Sequence, residues 1–119
     1  MENKIYQLKT ASGELICKKM ILANTMFSRM KGLMFATELP ECDGLLLRPG
    51  NSIHTFFMLI SLDVIFLDKN LKVVKVFYDL RPWRMTRIYF KAHQVLEMKA
   101  GTLRKNVNVG DTLEAICIN

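Results

Sequence analysis

The chain reads as a mostly β protein: one compact antiparallel sandwich or barrel-like domain with a single short helix near residues 25–32. Three observations predict this. The stretch from Asn51 to Asp68, NSIHTFFMLISLDVIFLD, is the longest near-continuous apolar run, and it lacks the three- or four-residue rhythm of a surface helix. Turn signals recur at short intervals along the chain, as in sandwiches and barrels rather than alternating βαβ units. With 119 residues, half of them hydrophobic, the sequence makes one domain spanning residues 1–119, with enough apolar material for a core.

The elements follow in order. Ile5, Gln7 and Lys9 alternate with Tyr6 and Leu8, so Ile5–Lys9 is a strand. Ala11-Ser12-Gly13-Glu14 then turns the chain into a second strand, Leu15–Leu22. After Ala23 the period changes. Asn24 or Thr25 caps a helix whose Met26, Phe27, Met30 and Leu33 fall on one face, with Gly32 near its end. The loop from Leu39 to Gly44 leads to a strand over Gly44–Leu47, and Arg48-Pro49-Gly50-Asn51 turns again.

Ile53–Leu59 and Asp63–Leu67 are expected strands divided by a bend near Ser61, and Asp68-Lys69-Asn70 leads into a strand over Leu71–Tyr78. Pro82 removes a backbone donor, which makes Arg81-Pro82-Trp83-Arg84 an edge or a loop. Arg87–Phe90, Gln94–Met98 and Thr112–Ile118 complete the expected strands.

Composition narrows the function classes. Seventeen Lys and Arg against eleven Asp and Glu give a net charge of +6, which favours anionic partners without forming a block of like charge. The amino terminus MENKIYQLKT lacks an apolar core of signal-peptide length, and no uncharged apolar run nears the ~20 residues of a membrane span. The expected location is the cytoplasm. Cys17, Cys42 and Cys117 are odd in number and widely separated, so reduced thiols are expected, with no metal site and no cofactor.

Within the apolar run stand His54, Thr55 and Asp63, and a buried polar group without partners costs roughly 1–3 kcal/mol. Either the core satisfies them or they line a site. The plainer reading of His54 is a core or edge histidine bonded to backbone, and the sharper one is a polar contact or acid–base group in a pocket. For Asp63 the plainer reading is a bend cap that accepts backbone N–H groups, and the sharper one is a partner for Arg or His. Glu97, between Leu96 and Met98, is expected in solvent unless it turns inward to Arg48 or Arg84. Arg81, Trp83 and Arg84 are the best binding candidates outside the run: guanidinium groups hold carboxylate or phosphate, and an indole stacks on a sugar or base. Arg29 reads as a solvated helical residue, and the methionines as core filling.

Several segments stand in a recognisable order: Arg29 with Gly32-Leu33, Gly44 to Pro49, Asn51-Ser52-Ile53-His54-Thr55-Phe56, Met58, and Asp63 to Asp68. Pro82-Trp83-Arg84, Ala92, Val95-Leu96-Glu97, Ala100-Gly101 and Gly110-Asp111 follow. Over roughly residues 20–114 the chain resembles small prokaryotic proteins grouped as domain of unknown function 192, in the variant with an Ile-His-Thr motif. The resemblance implies a compact, mostly antiparallel β fold and no settled activity. It also marks departures: Phe57 stands where that variant usually has Gly, Ser61 where it has Pro, and Gly50 where it often has Cys.

The expected function is a small binding or accessory module. It would present Arg48, His54, Thr55, Arg81, Trp83, Arg84 and Glu97 to a small anionic or sugar-like ligand or to a protein partner. The alternative is an enzyme using His54 as general acid or base, oriented by Asp63 or Glu97. A further alternative is nucleic-acid or anionic-surface binding through the basic face, ranked last because aromatic residues are not interleaved with the basic ones as RNA platforms require.

Overall fold

Ile5–Lys9 (β1) and Leu15–Ala23 (β2) pair as an antiparallel hairpin, as their alternation dictates. The turn between them is held by Thr10, whose N–H donates to the Glu14 carbonyl at 2.8 Å while its Oγ1 accepts from the Glu14 N–H at 3.0 Å. Gly13 supplies the left-handed residue, with φ +94°. The computed structural model describes residues 4–23, 42–104 and 106–119. The helix expected near 25–32, and Arg29 on it, fall outside the described residues.

Five further strands follow: Gly44–Leu47 (β3), Leu62–Leu67 (β4), Val73–Leu80 (β5), Gln94–Lys99 (β6) and Glu114–Cys117 (β7). Among the described residues there is no helix. The protein is mostly β, and its seven strands form one mixed sheet in the order β5-β4-β6-β3-β2-β1-β7. Every neighbouring pair is antiparallel except β2 and β3, which run parallel from Met20 opposite Gly44 to Ala23 opposite Leu47. Gly44 is required by that register, since a Cβ there would lie 2.7 Å from Cys17 Sγ. The sheet curls until its two ends touch at one corner, where Val73 N–H donates to Asp111 O at 2.8 Å and Leu113 N–H to Leu71 O at 2.9 Å. It does not close into a barrel.

Both faces of the central strands are covered, which explains the near-continuous apolar runs. Leu46, Ile65, Leu67, Leu96 and Met98 enter one core cluster with Leu8, Met20 and Leu113. Their sequence neighbours Leu47, Val64, Phe66 and Val95 enter a second cluster on the opposite face.

That second face is roofed by two irregular segments, and here two expected strands are corrected. Ile53–Leu59 and Arg87–Phe90 are not strands. They lie against each other through single contacts: an isolated bridge from His54 to Met85, Thr86 N–H to Ile53 O at 2.9 Å, and Tyr89 N–H to Asn51 O at 2.8 Å. Extension fails at Phe57, whose φ of +65° turns the chain back. The N–H of Met58 then closes a four-residue turn on the Thr55 carbonyl at 3.2 Å. Apolar composition alone marks these residues as buried roof as readily as strand. Ile53, Ile60 and Tyr89 pack down onto the sheet.

Candidate functional site: an aromatic and arginine double loop

Thr55 is fully buried and organises the site. Pro82 and Trp83 form the corner of a turn between Arg81 and Arg84, and the Thr55 hydroxyl sits between the turn's two ends. It donates to the Arg81 carbonyl at 2.7 Å and accepts from the Arg84 N–H at 2.8 Å. The Thr55 backbone completes the clasp: its N–H donates to Arg84 O at 2.7 Å and its carbonyl accepts from Trp83 N–H at 2.9 Å. A serine or threonine hydroxyl suits this position because it donates and accepts at once.

Two aromatic residues face each other across the clasp. Phe57 and Trp83 hold left-handed backbone, with φ of +65° and +64°, and their ring centroids lie 4.8 Å apart. Bulky residues rarely adopt that conformation. Neither ring is hidden by it, for Phe57 is 46% and Trp83 57% exposed. Phe56 joins them at 5.9 Å from Trp83, and the exposed His54 ring stacks on Phe56 at 5.0 Å. Arg81 and Arg84 flank the cluster and are exposed. His54, Thr55, Arg81, Trp83 and Arg84 are therefore brought together on adjoining loops. Phe56 and Met85 were not among the site candidates the sequence offered, and the signal that could have found them is the Pro82-Trp83 turn opposite the Thr55 turn.

The other candidates are placed elsewhere. Arg48 directs Nε and Nη2 to Gln94 Oε1 at 2.9 and 2.7 Å, and Gln94 Nε2 donates to the Asp68 carbonyl at 2.9 Å. Asp63 is buried on β4 and works as a backbone anchor. Its Oδ1 accepts from Asp79 N–H at 3.0 Å, and its Oδ2 from Gly101 N–H at 3.0 Å and Leu103 N–H at 2.9 Å. This is the capping role its position implied.

Glu97 corrects the expectation of solvent exposure. It does face away from Leu96 and Met98, but that side is roofed as well, and the residue is only 6% exposed. Its cross-strand neighbours are Leu45 and Val64. No hydrogen bond to its side chain is seen among the described residues, and burial pushes its pKa up to about 7. Among the described residues no cluster of three His, Cys, Asp or Glu side chains could hold a metal ion.

A single curled mixed sheet, roofed on one face by a clasped pair of loops, places this chain among small, mostly β domains. It belongs to the DUF192 family, described as "Uncharacterized ACR", whose model matches residues 8–115. A UPF0127 protein of Thermococcus sibiricus is 32% identical over 112 residues, covering 90% of this chain and 72% of the relative. A crystal structure of a protein of unknown function from Novosphingobium aromaticivorans superposes with a TM-score of 0.75 at 25% identity, covering 92% of this chain and 83% of that one. Another from Sinorhizobium meliloti, provisionally named a transcription regulator, gives 0.77 at 25% identity and covers 96% and 94%.

Proposed function

We propose that the double loop is a binding site for a small anionic ligand carrying a ring, such as a sugar acid or sugar phosphate, and that the protein acts as a binding or accessory module. The observation that carries this reading is the Phe57–Trp83 pair. Two large rings in left-handed backbone are held in mutual contact and half open to solvent. Backbone outliers of this kind cost of order 1–3 kcal/mol each and concentrate at ligand clamps. An exposed indole offers a stacking face for a sugar or other flat ring, and the guanidinium groups of Arg81 and Arg84 offer paired donors for carboxylate or phosphate. Thr55 fixes the spacing of those two arginines through the backbone.

Against the acid–base alternative stands Asp63, whose two carboxylate oxygens are taken by three backbone N–H groups and so do not orient His54. Glu97 sits on the sheet in an apolar row and has no hydrogen bond to His54.

Trp83 is the single tryptophan of the chain, so its fluorescence reports this site directly. Titration with glucuronate, ribose 5-phosphate and inorganic phosphate should give a saturable change with at least one sugar anion. That change should disappear in an Arg81→Ala/Arg84→Ala variant. Flat titrations across all three probes overturn the reading.

A further inference from the structure

The roof over the sheet carries more charge and more open apolar surface than a small ligand uses. The two roof segments, residues 51–60 and 81–92, contain Arg81, Arg84, Arg87 and Lys91 and not one Asp or Glu. These two segments are therefore purely basic. Within the strip, Ile53, Ile60 and Tyr89 pack down onto the sheet. Several other residues of the two segments are apolar and exposed: Met85 is 73% and Phe90 86% exposed, with Leu59 and Ile88 also exposed. Isolated exposed apolar residues are ordinary, but several on one basic strip mark an interaction surface.

We infer that this strip docks on an anionic lipid bilayer. Phe90, Met85, Ile88 and Leu59 would enter the headgroup and upper acyl region, while Arg84, Arg87 and Lys91 hold the lipid phosphates. The charge sets the sign of the surface, since Lys and Arg are drawn to anionic leaflets within a Debye length. The kind of apolar residue separates lipid from nucleic acid. Rings such as Phe90 and Trp83 could also stack on bases, but the aliphatic Met85, Ile88 and Leu59 exposed beside them have no ring to offer and partition readily among acyl chains. Aromatic Trp83 beside them suits the interfacial layer, where amphipathic rings collect. The attachment inferred is peripheral, and among the described residues no helix is long and apolar enough to cross a membrane.

The test is partition of the full chain onto vesicles of phosphatidylcholine alone and of phosphatidylcholine with phosphatidylglycerol, at low and high salt. Binding to the anionic vesicles only, falling with salt, is expected, together with a blue shift of Trp83 emission and its quenching by brominated acyl chains. An Arg87→Glu/Lys91→Glu variant should lose at least about fivefold in partition per charge. A Met85→Ser/Phe90→Ser variant, with circular dichroism unchanged, should lose the brominated-lipid quenching. That second variant leaves the Phe57–Trp83 contact in place, so its response to sugar anions should persist, and the lipid and small-ligand readings fail separately. Absence of anionic-vesicle binding at low salt, wild-type partition in both variants, or Trp83 quenching by single-stranded RNA without any by vesicles overturns the inference.

Discussion

Thr55 occupies the hydrogen-bonding gap in the turn that presents Arg84. Its hydroxyl accepts from the Arg84 N–H at 2.8 Å while its N–H donates to the Arg84 carbonyl at 2.7 Å. The two residues are far apart in sequence, so this clasp is what brings the His54 loop and the Trp83 loop into one surface. Thr55→Val keeps the volume and removes the hydroxyl, leaving the Arg81 carbonyl and the Arg84 N–H without partners. A loss of about 2–3 kcal/mol in urea unfolding is expected, with Thr55→Ser retaining most of the stability. Trp83 fluorescence anisotropy should fall in the valine variant as the turn loosens.

Asp63 holds three backbone N–H groups from two separate segments, those of Asp79, Gly101 and Leu103. Asp63→Ala should cost about 3–5 kcal/mol, because charge-assisted bonds are lost and buried donors are orphaned together. Asp63→Asn keeps one acceptor oxygen and should fall between. Denaturant midpoints at constant slope check both.

Glu97 gives the stability a pH dependence of unusual sign. Burial raises its folded pKa from 4.5 to about 7. Between those values the folded state binds more protons than the unfolded chain, so the contribution of Glu97 is full below the unfolded pKa and lost as pH rises through about 7. The loss is of order 3 kcal/mol and is complete on the alkaline side. Glu97→Gln should therefore be close to neutral at low pH and stabilising above neutrality. Unfolding curves measured across this pH range, wild type against variant, decide it; a wild-type curve no steeper than the variant's rules it out.

Phe57 occupies the third position of the Thr55–Met58 turn with φ +65°, where glycine is the unstrained residue. Phe57→Ala keeps the backbone penalty and loses the ring contact with Trp83. Phe57→Gly loses the same contact and sheds the penalty. Gly should be more stable than Ala by about 1 kcal/mol, while both weaken the response of Trp83 to ligands. Thermal midpoints of the pair provide the measurement. The ring fills no interior space: it lies on the surface beside Trp83.

Local signals along the chain suffice to show that it builds a β sheet, and roughly where most strands begin and end. Local alternation, β-branched pairs and turn residues act over a few positions and are written in order, as in Ile5–Lys9, Leu62–Leu67 and Gln94–Lys99. For Asp63 the sequence offered a backbone acceptor as the plainer of two readings, without the remote segments that it holds. Three matters were decided only by the tertiary structure. Whether Ile53–Leu59 is strand or roof depends on Phe57 turning back and on the distant Arg81–Arg84 turn receiving Thr55. Whether Glu97 meets water depends on what lies over its face of the sheet, which alternation along β6 does not reveal. The gathering of Phe57, Trp83 and the arginines into one surface needed the two loops to be laid side by side. Periodicity reports which way a side chain points; only packing between remote segments decides what it meets there.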